Sequence, residues 1–392
     1  METRSLYRLM AYLFFVYSAM TIVNSYMPVL FRAEGLSGTQ VGMLMAVGPF
    51  ATILAQPLWG YLSDKYKTIK RMIVITLCGV LVSGFIFTFM DSFKGYLIMM
   101  FVLFLFITSS TALGDSLSQR TANSRRMSFG KIRMWGSIGF AITSLTAGYI
   151  LMMVGVQYTM LLMICVATFA CILAFTLKDI PVTSKPVTII SALKMGLNPA
   201  LLIFFPCAML VSITHRTNDS FLGIYIVELG GPESLIGWSW FIGVATEAVM
   251  FATSAWWFKR WHPISFIILS GLLYGIRWML MSLITVPWMI LPLQLIHGVT
   301  FGLFYIGGLH FVNRLVPEQF QATGHLLFLT MTLGVCGIIG SLFGGWMIEA
   351  FSLQALYIII GISAFLGAIS LTIFKHFNES KQIDSASNSV EA

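Results

Sequence analysis

Gly60-Tyr61-Leu62-Ser63-Asp64-Lys65-Tyr66-Lys67-Thr68-Ile69-Lys70-Arg71 stands between the second and third long apolar stretches of the chain. Four of its last eight residues are Lys or Arg, in a chain where only 10% of residues are charged. A loop this basic between apolar stretches is a topology signal, because Lys and Arg are retained on the cytoplasmic side of a membrane.

The flanking sequence decides the class. The chain has 392 residues, 58% of them hydrophobic, and a mean hydropathy of +0.88. A soluble domain of this size carries far more charge. Uncharged runs at 9–31, 35–63, 72–90, 95–114 and 134–177 are each long enough for one helix across about 30 Å of hydrocarbon, and the last for two. Backbone groups in lipid must be satisfied internally, so helices are expected. The first run exceeds the roughly 7–15 apolar residues of a signal peptide core and is read as a span. Twelve spans are expected, at 8–31, 40–62, 72–90, 96–117, 132–154, 158–177, 201–229, 235–257, 265–284, 288–311, 323–348 and 353–375.

With twelve spans both termini share a side, and the basic residues then divide sharply. Nineteen of the 23 Lys and Arg fall on the face of the termini and the Gly60–Arg71 loop, whereas only Arg32 and Lys94 fall opposite. Both termini are expected in the cytoplasm, with the protein in the cell membrane. The same placement explains the net charge of +8 without nucleic acid. The five cysteines lie in apolar runs without CxxC spacing and are read as packing residues.

The longest internal connection, 179–200, holds Pro181, Pro186 and Pro199. It separates an N-terminal six-helix half (1–178) from a C-terminal one (201–375), and a polar tail at 376–392 reads as disordered. The halves echo each other. Gly35-Leu36-Ser37-Gly38-Thr39-Gln40-Val41-Gly42 enters span two, and Gly230-Gly231-Pro232-Glu233-Ser234-Leu235-Ile236-Gly237 enters span eight, 195 positions later. Two six-helix halves around a midplane site is a plan of secondary transporters.

Charges inside spans are costly and mark functional candidates. The acids are Asp115, Asp219 and Glu247; the bases are Arg133, Arg216 and Arg277, with His215, His297 and His310. For each the plain alternative is a structural ion pair or a residue snorkelling to the interface. Asp219 follows Arg216 by three and His215 by four, so the three share a helix face and Asp219 is expected to find its partner there. Glu247 has small and apolar sequence neighbours; desolvation disfavours its charge, as suits a proton carrier. Phe140 and Trp240 are candidate stacking surfaces, and the glycines of span eleven are read as packing surfaces. No phosphate loop, metal-ligand cluster or nucleophile triad is present, so no enzyme and no metal or organic cofactor is expected.

The order Gly-x-Leu-Ser-Asp-Lys followed by Lys-Arg resembles the loop after span two in the major facilitator superfamily. The resemblance implies an all-α membrane protein, two pseudo-symmetric six-helix bundles and alternating access. It makes Gly60, Asp64, Lys70 and Arg71 a gating loop. A narrower likeness lies in Arg133-Met134-Trp135-Gly136-Ser137-Ile138-Gly139-Phe140 and in His297-Gly298. These runs resemble the group of lactose permease, nucleoside–proton symporters and phenylpropionic acid permease. The likeness implies that Arg133 pairs with the acid eighteen residues earlier, Asp115, and that Arg277 and His297 join the substrate site. Where that group carries a proton-bearing glutamate three residues past the histidine, this chain has Thr300. Glu247, with Asp219 second, is therefore expected to carry the proton.

The expected function is proton-coupled symport of a small organic solute: an aromatic carboxylate such as phenylpropionate, a sugar or a nucleoside. The alternatives are a proton-antiport exporter and a non-transporting membrane sensor. Expected partners are the solute, protons and membrane lipid, with the protein acting as a monomer.

Overall fold

The computed structural model describes residues 2–179, 198–258, 261–317 and 320–388. Most of the 179–200 connection, with Lys259 and Arg260, lies outside the described residues. Among those described, twelve helices are long and apolar enough to cross a membrane. They are α1 (Glu2–Ala33), α2 (Gly38–Lys65), α3 (Ile69–Phe87), α4 (Phe93–Ser124), α5 (Phe129–Val154) and α6 (Thr159–Phe175). After the central connection come α7 (Pro199–Glu228), α8 (Glu233–Trp257), α9 (Pro263–Ser282) and α10 (Ile290–Leu315). In α11, two α-helical pieces, Gln321–Leu329 and Cys336–Ala350, are joined by a π turn at Thr330–Val335. The last helix, α12, is Leu353–Asn388.

The expected spans are all present, with one correction. Helix α4 continues past 117 to Ser124, because its polar end leaves the apolar layer without a helix breaker. Helix α12 runs on to Asn388, through a polar tail that contains no Gly or Pro to stop a helix.

The packing repeats between halves. In the first, α1 packs on α5 and α6, α4 on α2 and α3, and α3 on α6. In the second, α7 packs on α11 and α12, α10 on α8 and α9, and α9 on α12. The halves meet along α2 with α11, α5 with α8, and α1 with α7.

The echoed segments have a physical cause at each end. Gly35 and Gly230 follow α1 and α7 with φ of 80° and 82°, a left-handed conformation that suits glycine. Gly42 and Gly237 let backbones touch across the two seams. A Cβ at Gly42 would meet the Cα of Gly345 at 2.9 Å, and one at Gly237 would meet the Cα of Leu145 at 3.1 Å. Between these glycines, Ser37 and Gln40 form a capping box that starts α2.

At this same end, polar contacts cross between halves. Glu349 of α11 accepts from Ser37 Oγ at 2.7 Å and from the Thr39 amide at 2.8 Å, at the N-terminus of α2. Arg32 pairs with Glu228 at 2.8 Å. The halves are thus tied together by polar contacts at the end holding Arg32 and Glu349.

At the opposite end, the basic loop is tied down by Asp179. Its carboxylate accepts from Thr68 Oγ1 and from the amides of Ile69 (3.1 Å) and Lys70 (3.3 Å). An acid thus occupies the positive end of α3, next to Lys70 and Arg71.

Candidate functional site

In the first half, α1, α4 and α5 bring three side chains together. Arg133 Nε lies 2.9 Å from Asp115 Oδ1, and both side chains are about three-tenths exposed (28% and 31%). Tyr17 donates to Asp115 Oδ2 at 2.7 Å, and its ring lies 3.9 Å from the guanidinium carbon. The carboxylate is thereby shared between a cation and a phenol, and the cation is held on an aromatic face. Gly136 keeps this contact open: a Cβ there would meet Tyr17 Cδ2 at 2.6 Å and Arg133 Nη1 at 2.8 Å.

In the second half, α8, α9 and α10 supply a chain of contacts. Arg277 is fully buried. Its Nη2 donates to Gln294 Oε1 at 2.8 Å, and its Nη1 stands 3.1 Å from His297 Nδ1. His297 Nε2 lies 2.7 Å from Glu247 Oε1. A guanidinium has donors only, so Nδ1 is the accepting nitrogen and the ring proton sits on Nε2, directed at Glu247. Among the described residues no carboxylate makes an ion pair with Arg277. A charge buried that completely needs a counter-charge, and the carboxylates near enough to act on it are Asp219 of α7 and Glu247, the latter through the imidazole.

Helix α7 adds a local pair, as its spacing predicts. Arg216 Nη1 lies 2.8 Å and His215 Nε2 3.4 Å from Asp219 Oδ2. The rings of His215 and His297 are 5.2 Å apart, so the α7 set adjoins the Glu247 chain. Phe140 and Trp240 meet edge to face at 5.8 Å across the α5–α8 seam.

Most of the expected residues thus gather into two clusters. One expectation needs correction: Glu247 is not surrounded by apolar groups, because α10 brings His297 against it. His310 stands apart, 4.4 Å from the ring of Phe258. Gly60 and Asp64 lie near the end of α2, and Lys70 and Arg71 in the first turn of α3, at the end away from Glu349. Two participants went unread in the sequence, Tyr17 and Gln294. Tyr17 begins a polar stripe with Ser18, Thr21 and Ser25 on an otherwise apolar span, which is a usable signal. Gln294 is a single neutral amide in an apolar run.

The profile of the family described as MFS_1 like matches residues 6–359. The chain belongs to this family. The MFS_1-like chain is 25% identical over 368 residues to "Uncharacterized transporter YwbF" of Bacillus subtilis, covering 93% of this chain and 91% of that one. It is 25% identical over 344 residues to "Maltose permease" of Geobacillus stearothermophilus, covering 86% of each. Its fold is that of the nucleoside transporter NupG, with a TM-score of 0.86 at 16% identity over 94% of this chain and 98% of that chain. The MFS_1-like chain is a multi-pass membrane transporter of the major facilitator superfamily, and it is not an enzyme.

Proposed function

We propose that the protein is a proton-coupled symporter that carries a neutral hydroxylated solute, of the sugar or nucleoside class, by alternating access. The charge balance inside the spans carries this reading. Asp115 is matched by Arg133, Asp219 by Arg216, and Glu247 by Arg277 through His297. Among the described residues inside the spans, no guanidinium is left over to fork a substrate carboxylate. The Asp115–Arg133 pair, by contrast, offers both an acceptor and donors at partly exposed side chains, which is what a sugar hydroxyl needs. Phe140, on the same helix as Arg133, and Trp240 provide an aromatic pair at the α5–α8 seam. The relative named as a maltose permease supports the same class.

In this reading the termini and the basic loop face the cytoplasm. The polar contacts of Glu349 and Arg32 then join the halves on the outer face. Glu247 takes up the proton. Its carboxylate is one-fifth exposed, and its ionised state balances Arg277, so binding and release of a proton change the electrostatics of the whole second-half cluster.

Glu247→Gln is expected to abolish proton-driven accumulation while leaving substrate exchange within about threefold of wild type, because the amide cannot cycle a proton. Uptake of radiolabelled sugars and nucleosides in vesicles with an imposed pH gradient measures this. Accumulation by the variant equal to wild type would sink the assignment. Symport also predicts that adding substrate to energy-depleted cells makes the medium more alkaline, whereas an antiporter acidifies it. Asp64→Ala should slow transport while leaving equilibrium substrate binding intact, since Asp64 lies in the last turn of α2, at the end opposite the Arg32 and Glu349 contacts. A loss of binding equal to the loss of rate would contradict a gating role.

A further inference from the structure

We infer that Gln294 is a positioning residue that holds Arg277 without neutralising it, so that the guanidinium takes its counter-charge from Glu247. This inference rests on Glu247 being the proton carrier.

Gln294 and His297 are three apart on α10 and share a face. Both are buried, at 2% and 3% exposure. Each takes one arm of the Arg277 fork: Gln294 Oε1 accepts from Nη2 and His297 Nδ1 from Nη1. The amide orientation is forced, because turning it over would set its NH2 against the guanidinium donors. Gln294 Nε2 and Arg277 Nε are both buried without a hydrogen-bond partner. The contact that fixes the amide is therefore its carbonyl on Arg277.

The choice of amide over carboxylate has an electrostatic consequence. A carboxylate at 294 would pair with Arg277 directly and supply the counter-charge on the spot. Arg277 would then no longer depend on Glu247 for its counter-charge. With the amide, protonating Glu247 leaves Arg277 facing His215 and Asp219 from α7, Tyr274 from α9, His297 from α10 and Tyr357 from α12. Of these only Asp219 is acidic, and it already holds Arg216. Gln294 thus keeps the fixed charge and the proton site dependent on each other.

Infrared titration of the solubilised full-length protein tests this without substrate. The carboxyl band that titrates in wild type and is missing in Glu247→Gln reports Glu247. In Gln294→Glu, read against Gln294→Glu/Glu247→Gln, its midpoint should move to higher pH by about one unit, as expected for a new charge near a buried pair. In Gln294→Met, which removes the carbonyl dipole, it should move to lower pH, and this variant carries the test if Gln294→Glu does not fold. The inference is overturned if neither midpoint moves or both move the same way. If no titrating band is lost in Glu247→Gln, the proton assignment itself fails, which is a separate result.

Discussion

Asp115→Asn is expected to lower uptake about 30-fold or more. Removing one partner of a buried, hydrogen-bonded charge pair costs about 2–5 kcal/mol, and the lower figure applies because Asp115 and Arg133 are partly exposed. At about 1.4 kcal/mol per tenfold, 2 kcal/mol is close to 30-fold. The variant alone does not separate a substrate role from a structural one, because Arg133 is left without its acid while still resting on Tyr17. The double variant Asp115→Asn/Arg133→Gln does. It restores neutrality and removes the unpaired cation, yet it still lacks the acceptor and donors that would hold a hydroxyl. Uptake and binding should both stay low in the double variant, at wild-type levels of protein in the membrane. Recovery to near wild-type uptake would show the pair to be structural.

Gly42→Trp is expected to stop turnover by a different route. At Gly42, α2 and α11 meet backbone to backbone, with Gly345 Cα 2.9 Å from where a Cβ would sit. No flexible side chain lies between them to yield, so an indole must part the seam. Overpacking costs typically 1–3 kcal/mol, and it is charged only to the state in which this seam is shut. A penalty of that size depopulates the closed state by a factor of about 5 to 150. Uptake should fall toward background while substrate still binds from the Arg32 side. Ser144, fully buried where α5 meets Gly237, is a place to watch. A cysteine there should react with an impermeant maleimide at least several-fold faster in right-side-out vesicles of Gly42→Trp. An unchanged labelling rate, with normal uptake, would mean that the seam does not open during transport.

The residues differ in how far their roles were readable from sequence. Charged groups in apolar runs announce themselves by their cost, which is why Asp115, Arg133, Glu247 and Arg277 stood out. The glycine echo was readable because glycine has few reasons to recur at a fixed spacing. Its meaning was not, since a close approach of α2 to α11 joins positions about 300 residues apart. Gln294 carries no charge to flag it, and its role appears only when α9 and α10 are side by side. The neighbours of Glu247 were misjudged for the same reason: its own helix is apolar there, and His297 arrives from another. The end of α4 was misplaced because helix propensity, rather than the edge of the bilayer, sets where it stops.

The wholly neutral contacts of Arg277 bear on how the chain is made. On a biological insertion scale an arginine at the centre of a span costs about 2.5–3.5 kcal/mol, and α9 contains no acid to offset it. The offsetting groups arrive on the segments synthesised immediately before and after, with Glu247 on α8 and both Gln294 and His297 on α10. Helix α9 should therefore enter the bilayer poorly by itself and settle only once its two neighbours accompany it, which makes these three spans a unit of biogenesis as well as of coupling.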